Sequence, residues 1–139
     1  MKRYIKQFIG TLAGVILSCN LFADVAIIVH PSNGNSFEHE DIQRIFLDKD
    51  AFYPDGSEVV AVGQESGVLV DEFNDKVLER DKAQLRAYWA KLMFTGKGFP
   101  PKPLADDTAV ISAVAGSAKT IGFVNKSAVT DAVKVVATF

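Results

Sequence analysis

Five consecutive apolar residues, Val25–Val29, constrain the fold of this chain more than any other feature. Four of the five are β-branched, and no polar residue interrupts the run. Such a run predicts a strand that is buried on both faces. It ends at residues 30–35, where Pro, Ser, Asn and Gly follow one another and predict a turn.

The rest of the chain alternates between helical and extended patterns. Further strands are predicted over residues 58–62, 121–124 and 133–137. Helices are predicted after an N-cap at Ser36, from Ser66 to about residue 78, over residues 82–94, and from Asp106 to about residue 115. The order β-α-β-α-α-α-β-β predicts an α/β fold with some parallel strand pairing.

Several aromatic and glycine positions are predicted to be structural. Residues 95–103 are rich in Gly and Pro and are predicted to be irregular. We expect one or both of Tyr88 and Trp89 to cover the sheet, and Phe94 and Phe99 to clasp the following loop onto the core. Gly122 interrupts a strand, which predicts a bulge or a close approach of another element.

The first 23 residues have the pattern of a secretory signal peptide. Basic residues precede an apolar stretch over residues 8–17, and Ala23 stands at the predicted cleavage site before Asp24. The chain is therefore predicted to be periplasmic, with a signal peptide over 1–23 and one domain over 24–139. A lipid anchor on Cys19 is disfavoured, because Leu17 stands where that signal needs a small residue.

The predicted mature domain is acidic. Residues 24–139 contain twelve basic and seventeen acidic residues, a net charge near −5. This balance argues against nucleic acid and against anionic membrane surfaces as partners. A small anion remains compatible with it, because backbone N–H groups can bind an anion on an acidic protein.

No catalytic or metal-binding pattern is present in the sequence. His30 and His39 lack the spacing of metal ligands, and the short turn at residues 95–98 lacks the spacing of a phosphate loop. The chain is therefore predicted not to be an enzyme and to bind neither a metal nor a cofactor.

The segment from Gly63 to Gly67 is the best candidate for a binding site. It leads from a predicted strand into a predicted helix, and N–H groups at a helix start suit phosphate, sulfate or carboxylate. Ser66 adds a hydroxyl and Gln64 an amide, while Glu65 adds a repulsive charge. The alternative is that Ser66 only caps the helix.

Six collinear segments carry a family resemblance. They are residues 41–49 (DIQRIFLDK), 53–56 (YPDG), 73–74 (FN), 88–89 (YW), 94–101 (FTGKGFPP) and 119–124 (KTIGFV). In these segments the chain resembles the phosphate-binding periplasmic proteins of ABC transporters. The resemblance implies a single three-layer lobe with a mixed sheet flanked by helices, matching the second of the family's two lobes.

The same resemblance implies where a ligand binds. Ser66 and Gly67 stand where the family contacts its anion, Val68 replaces a threonine, and the family's arginine is absent from this turn. Ser32 and Asn33, after the first strand, are expected to assist. The implied partners are phosphate or another small anion, with a permease or a sensor protein. The alternative is a ligand-free protein-interaction or sensor accessory lobe, whose uncovered face would allow a dimer.

Overall fold

A computed structural model describes residues 24–139, so the predicted signal peptide and Cys19 lie outside the described residues. The strands are β1 (Val25–Val29), β2 (Val60–Gln64), β3 (Lys102–Leu104), β4 (Thr120–Asn125) and β5 (Lys134–Thr138). The helices are α1 (His39–Phe46), α2 (Val68–Phe73), α3 (Lys82–Phe94) and α4 (Asp107–Ala115). None of the helices among residues 24–139 is long and apolar enough to span a bilayer.

The five strands form one mixed sheet, which confirms the predicted α/β lobe. The strand order is β3-β2-β4-β1-β5. β2 is parallel to β3 and to β4, whereas β1 is antiparallel to both β4 and β5. β5 therefore runs in the same direction as β2, β3 and β4.

β1 separates two hydrophobic cores, as its uninterrupted apolar run predicts. All five of its residues are buried, and successive side chains point to opposite faces of the sheet. Val25, Ile27 and Val29 pack with α1, α2 and Leu85 of α3 on one face. Ala26 and Ile28 pack with α4 on the other face. The result is a three-layer lobe, with the sheet between two layers of helices.

Two predicted helix starts are wrong by two or three residues. α1 begins at His39, and its N-cap is Glu38 rather than Ser36. The Glu38 amide donates a 2.8 Å hydrogen bond to Oδ2 of Asp41, which completes a reciprocal cap. α2 has Gly67 as its N-cap and continues after Phe73 as a π-helical turn over residues 74–78.

The second strand begins and ends two residues later than predicted, and β3, which pairs with it, is not predicted from the sequence. β2 covers Val60–Gln64 instead of 58–62, so Gly63 and Gln64 belong to the strand and not to the turn. β3 overlaps the end of the segment predicted to be irregular, and pairs Pro103 with Gly63. β3 tolerates a proline because it is an edge strand, on which one side of the backbone needs no partner.

The aromatic residues around α3 differ in their environments. Tyr88 and Trp89 pack against the first core, as predicted, and the Tyr88 hydroxyl donates to the Leu47 carbonyl at 2.6 Å. The predicted clasp is wrong, because 93% of Phe94 and 62% of Phe99 are exposed. The Phe99 amide instead donates to the carboxylate of Asp48, so a polar contact holds the loop.

Candidate functional site

The C-terminal ends of the parallel strands meet at one edge of the sheet, which we name the carboxyl edge. It is formed by Gln64 of β2, Leu104 of β3 and Asn125 of β4. The segment from Glu65 to Gly67 lies there, and its Glu65 amide donates to the Leu104 carbonyl at 3.0 Å. Binding sites of open α/β sheets characteristically lie outside this edge.

The start of α2 is open at the carboxyl edge. Gly67 is the N-cap, in extended conformation with φ 168° and ψ −178°, and among residues 24–139 no side chain caps this helix start. Ser66, Gly67 and Val68 are exposed, and a Cβ built on Gly67 meets nothing within 4 Å. The first N–H groups of a helix lack intrahelical partners, and no side chain of the described residues supplies one here.

Gln64 is turned into the fold. Its Nε2 donates to Oδ1 of Asp107 at 2.7 Å and to the Phe123 carbonyl at 3.0 Å. Asn125 completes the cluster by donating from Nδ2 to Oδ2 of Asp107 at 3.0 Å. The amide nitrogen of Gln64 therefore joins β2, β4 and α4 instead of facing the surface.

Ser32 and Asn33 lie at the opposite edge of the sheet. They follow β1, which runs antiparallel to β4, so its last residue Val29 pairs with Ile121 near the start of β4. A five-residue strand is about 16 Å long, so one small anion cannot contact both Ser66 and Ser32. The structure thus does not bring together the two groups of predicted site residues.

The residues around Asn33 form a polar cavity of about 200 Å³ at that opposite edge. Asn33 is buried, its carbonyl accepts from Lys134 Nζ at 2.9 Å, and its Oδ1 accepts from the Asn35 amide. Nearby, hydrogen bonds from Ser57 lower the pKa of the Asp55 carboxyl. These side chains already satisfy one another, which is typical of a structural turn.

Charge at the carboxyl edge is mainly negative. Glu65 adjoins the open turn, Asp106 caps α4 by accepting from the Ala109 amide at 2.8 Å, and Asp107 holds Gln64. Lys126 follows β4 at the same edge. Among residues 24–139 there is no group of three His, Cys, Asp or Glu side chains that could hold a metal ion.

Solved structures of phosphate-transport proteins contain a similar fold. An ABC-type phosphate transport receptor from Vibrio cholerae matches with a TM-score of 0.63 and 14% identity, covering 82% of this chain and 46% of the receptor. A phosphate-bound putative substrate-binding protein of a phosphate ABC transporter from Clostridium perfringens matches with a TM-score of 0.59 and 18% identity. The match covers 82% of this chain and 45% of that protein. PstS from Borrelia burgdorferi matches with a TM-score of 0.59 and 11% identity, covering 84% of this chain and 48% of PstS.

No protein-family model matches the chain, and no curated protein matches it. The chain spans less than half the length of each solved structure described above. At these identities the likeness concerns the fold, and these neighbours are binding proteins, not enzymes. The chain therefore has the fold of about one half of a phosphate ABC transporter substrate-binding protein.

Proposed function

We propose that this chain is an exported, non-enzymatic binding module that holds a small oxyanion such as phosphate at the start of α2. One observation carries the proposal: the uncapped, exposed helix start at Gly67 on the carboxyl edge of the sheet. Residues 1–23 act as the signal peptide in this proposal, and residues 24–139 are the periplasmic domain.

Ser66, Gly67 and Val68 are the residues assigned to the anion. The amides of the first helical turn donate hydrogen bonds, and the helix dipole favours negative charge at this end. Ser66 supplies a hydroxyl, whereas Val68 contributes its amide alone. Gln64 positions the turn through its bonds to Asp107 and Phe123, and Ser32 and Asn33 take no part in this site.

Delivery of the anion to a permease or a sensor protein follows from the same proposal. The support is the fold shared with a phosphate transport receptor and with a phosphate-bound substrate-binding protein. The proposed module needs neither a metal nor a cofactor, because backbone amides supply the binding groups.

Calorimetric titration of residues 24–139 with inorganic phosphate, sulfate and acetate tests the site. The key variant is Gly67→Ala. Its φ of 168° is accessible to any residue, and the added methyl meets no atom within 4 Å, so the variant should fold normally. We expect it to weaken phosphate binding about ten-fold or more, because the methyl would crowd the amides that contact the anion.

Gly34→Ala is the matched control, because Gly34 also has open space around it but lies beside Asn33 at the opposite edge. We expect it to leave phosphate affinity unchanged. If Gly34→Ala weakens binding while Gly67→Ala does not, the site is the polar cavity near Asn33. Absence of binding heat, and of a rise in melting temperature with phosphate, would refute the anion site.

The alternative function is a ligand-free interaction lobe. Two observations favour it: the Gln64 amide is already bonded within the fold, and Glu65 stands beside the open turn. Two results together would establish this alternative. The calorimetric titrations would give no binding heat, and residues 24–139 would form a stable complex with a permease or a sensor protein.

A further inference from the structure

The basic residues of this acidic domain are concentrated in one stretch. Residues 82–105 contain five Lys or Arg and no Asp or Glu. The remainder of residues 24–139 carries seven basic and seventeen acidic residues. The net charge near −5 therefore averages a cationic region of about +5 with a strongly anionic remainder.

Most of α3 lies at the surface. Leu85 is the only fully buried residue among its thirteen, with Tyr88, Trp89 and Leu92 half-buried beside it. Met93 is 51% exposed and Phe94 is 93% exposed, at the end of the helix. A phenyl ring this exposed lacks the stabilisation that burial would provide, and with Met93 before it the end of α3 presents two exposed apolar side chains.

The loop after α3 adds one further cation, Lys97, and a second exposed ring, Phe99. The Lys97 amide donates to the Leu92 carbonyl at 2.9 Å, so the loop folds back onto the last turn of the helix. We name the resulting surface the aromatic–cationic face. It consists of Arg86, Lys91, Met93, Phe94, Lys97 and Phe99.

The cations of this face are not neutralised within the domain. Across residues 24–139, no carboxylate lies within ion-pair distance of Arg86, Lys91 or Lys97, although Lys82 at the start of α3 pairs with Asp71. The carboxylate of Asp48 accepts from the Phe99 amide, and Asp48 and Asp50 line the same surface cavity as Phe99, so the acidic groups beside the face lie at this end. The face therefore combines unpaired positive charge with protruding apolar side chains.

We propose that the aromatic–cationic face docks the domain on the surface of an anionic phospholipid bilayer. Lysines and arginines attract anionic headgroups, and exposed phenylalanines insert at the boundary between headgroups and acyl chains. Phe94 projects into solvent with almost no neighbouring surface, and a bilayer accepts such a ring without needing a fitted pocket. An acidic protein partner would need a complementary cavity for it.

The anionic remainder of the domain does not prevent this docking. Charges farther from the bilayer than a Debye length, about 8 to 10 Å, are largely screened at physiological ionic strength. The domain would bind with the aromatic–cationic face toward the lipid and its acidic surfaces toward solvent. The contact is peripheral, and it is independent of anion binding at Gly67.

Sedimentation with vesicles tests the proposal on residues 24–139, which contain the five described strands and both described cores. Vesicles of phosphatidylglycerol and phosphatidylcholine in equal amounts should bind the domain, and vesicles of phosphatidylcholine alone should not. Binding should weaken as salt is raised. The variant with Lys91→Glu and Lys97→Glu should partition at least about ten-fold less, because each lysine near the bilayer contributes to the attraction of anionic headgroups.

The apolar contribution is tested separately. The variant with Phe94→Ala and Phe99→Ala should also reduce partitioning about ten-fold, and both pairs of changes lie at exposed positions where the fold tolerates them. Phe94→Trp reports insertion directly, because its emission should shift to the blue on vesicles relative to the parent, whose one tryptophan is Trp89. The matched controls are Phe52→Ala and Lys126→Glu, which alter an exposed ring and an exposed cation elsewhere.

Three results would overturn the proposal. The first is that the domain fails to partition into the anionic vesicles. The second is that the control variants lose as much partitioning as the variants of the face. The third is binding of an acidic peptide such as polyglutamate by the face without any binding to vesicles, which would assign it to a protein partner. Circular dichroism of each variant verifies that it is folded.

Discussion

Oδ1 of Asp107 accepts a 2.7 Å hydrogen bond from Nε2 of Gln64, and this bond joins the end of β2 to the first turn of α4. The same carboxylate accepts from the amide and from Nδ2 of Asn125, at the end of β4. One side chain therefore fixes the relative positions of two strands and a helix directly beside the open turn at Gly67.

Asp107→Ala is expected to lower the free energy of unfolding by about 2 to 3 kcal/mol. The loss follows because donors of Gln64 and Asn125 are left without their acceptor in a partly buried setting. Urea denaturation measures the change. Asp131→Ala, an exposed carboxylate, serves as the control and should change stability by less than about 0.5 kcal/mol. Equal losses in both variants would contradict the assigned role of Asp107.

Gly122→Ala is expected to destabilise the protein by about 1 to 3 kcal/mol, because the added Cβ would overpack the second core. That Cβ would lie 2.6 Å from Cγ1 of Val110 and 3.1 Å from Cγ2 of Val62. A double-mutant cycle with Val110→Ala checks the cause, since removing the valine methyl should relieve part of the strain. Strictly additive losses would show that this contact is not the source.

The sequence predicts those features of the fold that depend on local patterns. The apolar run at Val25–Val29 predicts the buried central strand. The glycine at position 122 predicts a bulge or a close approach, and the structure shows a close approach by Val110 of α4. β3 escapes prediction because a three-residue strand containing Pro103 forms only through pairing with β2, which lies far away along the chain.

The arrangement of the candidate site depends on strand directions, which local sequence patterns do not give. Placing Ser32 beside Ser66 requires the direction of β1 in the sheet, and β1 is antiparallel to its neighbours, so the two serines are at opposite edges. The helical spacing of α3 places Phe94 about 200° from the half-buried Leu92, on the side away from the core, so the sequence itself argues against the predicted clasp. The stretch without acids at residues 82–105, by contrast, is readable in the sequence, and the net charge conceals it.

Glu65→Gln is expected to tighten phosphate binding about two- to five-fold, if the anion binds at the start of α2. The carboxylate stands two residues before Gly67, and its removal relieves a screened repulsion. Calorimetric titration at low and at high salt checks this, since the gain should shrink as salt rises. Glu40→Gln, on α1, is the control. An unchanged affinity in Glu65→Gln would argue against a phosphate at this turn.

Stability at alkaline pH is expected to depend on Tyr53. Burial raises the pKa of its phenol from 10.0 to about 12. Below pH 10.0 the phenol is protonated in both the folded and the unfolded state, so its contribution is constant. Between these two values the unfolded chain ionises first, so the free energy of unfolding should fall, by about 2 to 3 kcal/mol in total.

Tyr53→Phe checks this assignment, because the variant has no phenol to ionise. Urea denaturation across this alkaline range should show a shallower loss of stability for the variant than for the parent. Burial also raises the pKa of Tyr88, so Tyr88→Phe provides a comparison at a residue that is less deeply buried. If Tyr53→Phe loses stability with pH as steeply as the parent, another group causes the alkaline unfolding, and the raised pKa of Tyr53 is not its origin.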